Sequence, residues 1–220
     1  MIPGEFVTTS DEDLVPIEDM FSDAENASAN RAMDLADRID TWDPIRQTYV
    51  SYYRMTNRQG TSVWWGKDGD VTVPTVDAFS DYGQGAFYFN QKDEDITLTV
   101  FGQVKSSATT IEIRPGFNLI CNPYPAPISL EGNTIDWTGA TADRAMDMAD
   151  RIDTWDAVNQ TYVSYYRMTN RQGTSIWWGK DGTVTTPTTD SIPAGDAFFY
   201  YHQGQTSFTL TLASPVAANE

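Results

Sequence analysis

The chain has 220 residues, of which 40% are hydrophobic and 20% charged, a globular rather than a disordered balance. A formal net charge of −17 repels phosphate backbones and anionic lipid surfaces, which argues against nucleic acid or membrane insertion. The single cysteine, Cys121, rules out an internal disulfide, and with one histidine it leaves too few ligands for a zinc site.

The opening segment Met1–Glu5 has neither a basic start nor an apolar run, so it does not read as a signal peptide or a span. The organising feature is a repeat. Residues 31–69 recur as 144–182 at an offset of 144 − 31 = 113, with five differences in 39 positions. A duplicated unit of this length can bury its own core, so two tandem domains are expected, 1–105 and 106–220. The first holds 8 basic and 19 acidic residues, 8 − 19 = −11, and the second 6 and 12, 6 − 12 = −6.

Taken in order, Pro3-Gly4-Glu5-Phe6-Val7 matches Pro115-Gly116-Phe117-Asn118-Leu119, at nearly the same distance before the repeated Arg-Ala-Met-Asp. Thr109–Ile113, which precedes the second Pro-Gly, alternates as a strand does; the first copy has only Met1 and Ile2 there. A strand is therefore expected to be missing from the first unit, leaving a sheet edge open to another chain. Residues 11–25 read as an acidic connection, and their counterpart Cys121–Pro127 as a proline-rich turn.

Ser28 and Thr141 precede Ala-x-Arg-Ala-Met-Asp-x-Ala-Asp, which predicts one short, hydroxyl-capped helix per unit. Arg38–Asp43 and Thr48–Met55 read as strands joined by the Pro44–Gln47 turn. Asn57–Gly60 turns into Ser62–Trp65, and Lys67-Asp68-Gly69 ends that strand. Ala86–Phe89 with Asp95–Val100, and Ala197–Tyr200 with Ser207–Leu212, read as closing hairpins. Many short strands with regular turns predict an all-β chain of two antiparallel sandwiches.

The boxes Gly116-Phe117-Asn118-Leu119-Ile120-Cys121-Asn122-Pro123-Tyr124-Pro125, Arg151-Ile152-Asp153-Thr154-Trp155-Asp156, Tyr162-Val163-Ser164-Tyr165-Tyr166 and Ile192–Tyr200 occur in that order. They resemble a β-sandwich module of large secreted and surface-attached bacterial proteins. The resemblance covers most of 109–212 and implies a non-enzymatic role in surface architecture or binding, in an extracellular or cell-surface setting. The first copy departs from the module at Thr9-Ser10-Asp11-Glu12, where Asn-Pro-Tyr-Pro is lost, and at Asp81–Gly85.

Chemistry is thinly supported. His202 sits in an expected hairpin turn and reads as a solvated side chain, and no nucleophile-and-base pattern accompanies it. Asp37, Asp40 and Asp43 recur as Asp150, Asp153 and Asp156, but along a strand a spacing of three puts successive members on opposite faces, unlike an acid/base pair. Oxygen-rich corners containing Asp37, Asp40, Asp150 and Asp153 make Ca²⁺ the candidate cofactor, against the plainer reading that surface aspartates solvate.

The aromatics say more. Strand neighbours face opposite ways, so both faces must carry rings, and Tyr52, Trp64, Trp65, Tyr165, Trp177 and Trp178 are the candidate platform. Its outer face would be covered by a loop, pack on the neighbouring unit or another chain, or stack sugar rings. The expectation is a self-assembling extracellular filament, tube or surface-layer subunit joined by donor strands. The tail Ala213–Glu220 is the candidate donor. The alternative is a tandem carbohydrate-binding module with glycans as partners.

Overall fold

The structure, a computed structural model, describes residues 15–21, 27–66, 74–79, 83–96, 107–179 and 186–215. The first unit comprises β1 (Val15–Pro16), α1 (Ile17–Met20), β2 (Arg38–Asp43), β3 (Thr48–Thr56), β4 (Ser62–Gly66), β5 (Ala78–Phe79) and β6 (Ala86–Phe89). The second comprises β7 (Thr109–Ile113), β8 (Gly116–Cys121), β9 (Ile128–Ser129), β10 (Ile135–Asp136), β11 (Arg151–Asp156) and β12 (Thr161–Thr169). It continues with β13 (Ser175–Gly179), β14 (Ser191–Ile192), β15 (Ala197–His202) and β16 (Phe208–Leu212).

The chain is all-β and antiparallel throughout its named strand pairs, as the alternating pattern and turn spacing predict. The second unit is a sandwich. A five-stranded sheet in the order β13-β12-β11-β15-β8 faces a three-stranded sheet, β10-β16-β7. Ile113, Ile120, Ile152, Trp177, Phe198, Tyr200, Leu210 and Leu212 fill the space between them. The first unit repeats the large sheet as β4-β3-β2-β6.

Turn chemistry sets the hairpins. Asp43 Oδ1 accepts the N–H of Ile45 and of Arg46, each at 2.9 Å, and so closes the Pro44–Gln47 turn. Asn57 Oδ1 does the same for Gln59 and Thr61, and Gly60 takes φ +84°.

Three expectations are corrected. The predicted helices are single 3₁₀ turns, Met33–Leu35 and Met146–Met148, preceded by Ala32 and Ala145 without a side-chain cap. Buried carboxylates hold the preceding loops instead, since the N–H of Ser28 bonds Asp37 and that of Thr141 bonds Asp150. The acidic connection, read from its charge as poor in packing residues, supplies three to the core. Ile17, Met20 and Phe21, spaced i, i+3, i+4, are buried under the first sheet with Ile39, Tyr52 and Trp64. Finally, β15 and β16 do not form a hairpin. β15 lies between β11 and β8 while β16 joins β7 and β10, so the connection crosses from one layer to the other.

Several expectations fall outside the described residues: the Pro3–Val7 match and the strand expected to be missing before it, the Lys67–Gly69 turn, Asp81-Tyr82, the end of the strand at Thr97–Val100, and tail positions 216–220.

Candidate interaction surface

Successive residues of a strand point to opposite faces, so each large sheet has a second, outward set of rings. In β15, Phe198 enters the sandwich core while Phe199, its neighbour, is buried in a separate cluster with Leu119, Cys121 and Ala197. Trp42 and Phe87 of the first unit pack against that cluster. Phe199 meets Trp42 at 5.5 Å between ring centroids, Phe87 at 5.6 Å and Phe117 at 5.6 Å. The outer rings thus form a seam between the units, which is where two of the duplicated faces go.

Backbone pairing reinforces the seam. Cys121 N donates to Gly83 O at 2.7 Å and Gly85 N to Leu119 O at 3.3 Å, so residues 83–85 of the first unit cover the outer margin of β8. Gly85 allows this approach, since a Cβ there would lie 2.9 Å from that of Ala197. Two side chains of the first unit then grip the start of β8. Trp42 Nε1 and Gln47 Nε2 both donate to Phe117 O, at 2.8 and 3.0 Å, and Phe117 N donates to Gln47 Oε1 at 2.8 Å.

The duplication places a second Trp–Gln pair, Trp155 and Gln160, at the corresponding corner of the second unit. Gln160 repeats the left-handed backbone of Gln47, both at φ +52°, and its Nε2 donates to Ala157 O as Gln47 Nε2 does to Pro44 O. Trp155 and Gln160 line a cleft of about 720 Å³ whose other wall is β2 and β6: Arg38, Asp40, Phe87 and Phe89. Among the described residues β6 is the margin of its sheet, whereas its counterpart β15 carries β8. Phe89 and Tyr162 are each more than two-fifths exposed at this cleft. Burial is the main cause that pushes the Tyr162 phenol up to about 12, and the neighbouring Tyr49 adds to it.

The predicted platform residues divide by face. Trp64 and Trp177 are fully buried, and Tyr52 and Tyr165 nearly so, each in the core of its own unit. Those four cannot present a surface to a partner, because their strand parity points them inward. Trp65 and Trp178 lie on the opposite face, half-buried, opposite Tyr53 and Tyr166 of the adjacent strand.

The carboxylates proposed for Ca²⁺ are surrounded by hydrogen-bond donors. Asp37 is buried and accepts from Ser28 N, Tyr88 Oη and Gln91 N at 2.7–2.9 Å. Asp40 takes Arg38 Nε and Ser51 Oγ, and Asp153 takes Arg151 Nε and Ser164 Oγ. Each cation ligand would have to give up such a donor, and among the described residues no three His, Cys, Asp or Glu side chains are grouped to hold a metal ion.

Asp150 carries the densest network, accepting from Thr141 N, Gln203 N and Tyr200 Oη and facing His202 Nδ1 at 2.9 Å. His202 is therefore no solvated turn residue; only 4% of it is exposed. Its Nε2 lies 3.1 Å from Thr206 O, which can only accept, so with Asp150 on the other nitrogen the ring favours the doubly protonated form. Burial lowers its pKa, but Asp150 and Thr206 outweigh that and the net shift is upward. The first unit has Asn90 here, whose Nδ2 reaches Glu94 O at 2.7 Å.

Sequence reasoning missed Glu18 and Glu131. Glu18 binds Trp64 N at 2.6 Å and Arg54 at 3.1 Å; Glu131 binds Trp177 N and Arg167. The signal was the offset itself, since 131 − 18 = 113. No family model, curated protein or solved structure matches the chain. No helix among the described residues is long and apolar enough to cross a membrane.

Proposed function

We propose that the chain is a non-enzymatic structural subunit that associates with copies of itself outside the cell, with β6 as the joint. The observation that carries this reading is an asymmetry between two near-identical units. β15 bears a neighbouring strand, while β6, among the described residues, ends its sheet beside an open aromatic cleft. A sheet margin of this kind is a template for strand addition, which would link subunits head to tail. The extracellular setting follows from the resemblance to modules of secreted and surface-attached bacterial proteins. Sedimentation velocity across a hundredfold concentration range, with negative-stain microscopy of the heaviest fraction, tests the reading. Concentration-dependent polymers are expected, and a monomer at every concentration would overturn it.

Carbohydrate binding remains a second reading because the same cleft combines ring faces with Arg38, Asp40 and Gln160. The platform moves from Trp64 and Trp177, which are buried, to Trp155, Tyr162 and Phe89. This reading predicts a monomer whose retention on immobilised glycans is lost with Trp155→Ala.

A further inference from the structure

We infer that the cleft beside β6 receives residues Gly4–Thr9 of a second copy as an added antiparallel strand, in the register β8 takes on β15. The inference rests on the self-association proposed above and supplies its donor, which differs from the tail suggested by sequence. At the start of that tail, Ala213 N is already bonded to Thr134 O.

The register follows from the duplication. Phe117 pairs with Tyr201 and Leu119 with Phe199. Shifted by 201 − 89 = 112, the same pairs put Glu5 opposite Phe89 and Val7 opposite Phe87. Gly4 then falls at the position of Gly116, which adopts φ +87°. Val7 enters the seam where Leu119 does in the second unit.

The acceptor half is already built. Trp155 and Gln160 stand at the cleft as Trp42 and Gln47 stand over Phe117, with the same left-handed backbone at the glutamine. Their role is to bind the N–H and C=O of the incoming Glu5. Arg151 lies 5.7 Å over the Phe117 ring in the second unit; its counterpart Arg38 lines the cleft paired with Asp40 at 2.9 Å, so the incoming glutamate joins an existing ion pair rather than meeting a free cation.

The tethers that would keep such a strand on its own chain are absent from the first copy's sequence. Asn118 binds Arg114 N and the carbonyls of Arg114, Gly116 and Tyr200, and its counterpart is Phe6. Asn122 holds the next corner through Ala126 O, Ile192 O and Pro193 O, where the first copy reads Thr9-Ser10-Asp11-Glu12. An intact acceptor with lost tethers suits a strand exchanged between molecules.

The experiment mixes two full-length variants, Glu5→Cys and Phe89→Cys, under mild oxidation. Cys121 is buried and does not compete. A mixed disulfide dimer is expected in several-fold excess over either homodimer, and adding Gln160→Ala to the Phe89→Cys chain should lower its yield several-fold. A Glu5→Cys/Phe89→Cys chain that instead closes within one molecule would overturn the exchange. So would a wild-type chain that polymerises while the mixture gives no mixed dimer; that result leaves self-association standing with its joint elsewhere. A wild-type monomer with no mixed dimer rejects both readings.

Discussion

Trp64 and Trp65 are neighbours in sequence and opposites in environment. Trp64 is fully buried beneath α1, with Arg54 over its ring at 5.7 Å, while Trp65 stands half-buried on the far face. Trp64→Ala should therefore cost about 3–5 kcal/mol and Trp65→Ala no more than about 1.5 kcal/mol, read by chemical denaturation of the full chain. A platform role for Trp64 would have required the reverse exposure. His202 gives a pH signature at the same scale. Because its folded pKa lies above the unfolded value, its contribution is complete below about pH 6.5 and is lost as pH rises through the folded value. His202→Asn, which copies the first unit's Asn90, should flatten the thermal stability of the second unit across that window. Calorimetry from pH 5 to 9 checks it, and an unchanged slope would remove the imidazolium from the account.

Among elements, β8 is held on both margins, by β15 on one side and by residues 83–85 on the other. Gly116 opens it at φ +87°, and a Cβ there would sit 2.6 Å from Gln47 Oε1. Gly116→Ala should destabilise by about 1–2 kcal/mol in equilibrium unfolding. Adding Gln47→Ala should recover only part of that, since the backbone strain remains. The strands and their turns were legible because alternation and Asx turns are local signals, as in Arg38–Asp43 and the Asn57–Gly60 turn. The layer change between β15 and β16 was not, because a tight turn and a sandwich corner look alike when only neighbouring residues are compared. α1 was hidden by its charge. Glu18 and Asp19 make the segment read as solvated, although Ile17, Met20 and Phe21 supply a buried stripe.

At the scale of the molecule, the duplication was visible in the sequence at once, each copy carries the same large sheet, and the paired aromatics showed that rings must occupy both faces. Which rings met across the units was beyond the sequence, because Trp42, Phe87 and Phe199 are brought together by contacts more than 100 residues apart. This seam couples the units energetically. Phe199→Ala removes the ring that touches Trp42, Phe87 and Phe117, and should cost about 3–5 kcal/mol. It should also split a single calorimetric unfolding transition into two, one for each unit.

The margin of β6, which among the described residues ends its sheet, is the feature on which the functional account stands, and hydrogen exchange at its backbone tests it most directly. Followed by mass spectrometry, the amides of Ala86–Phe89 should become progressively more protected as protein concentration rises, while those of Ala197–Phe199 stay constant. Protection at Ala86–Phe89 that is the same at the lowest and highest concentrations would contradict the account.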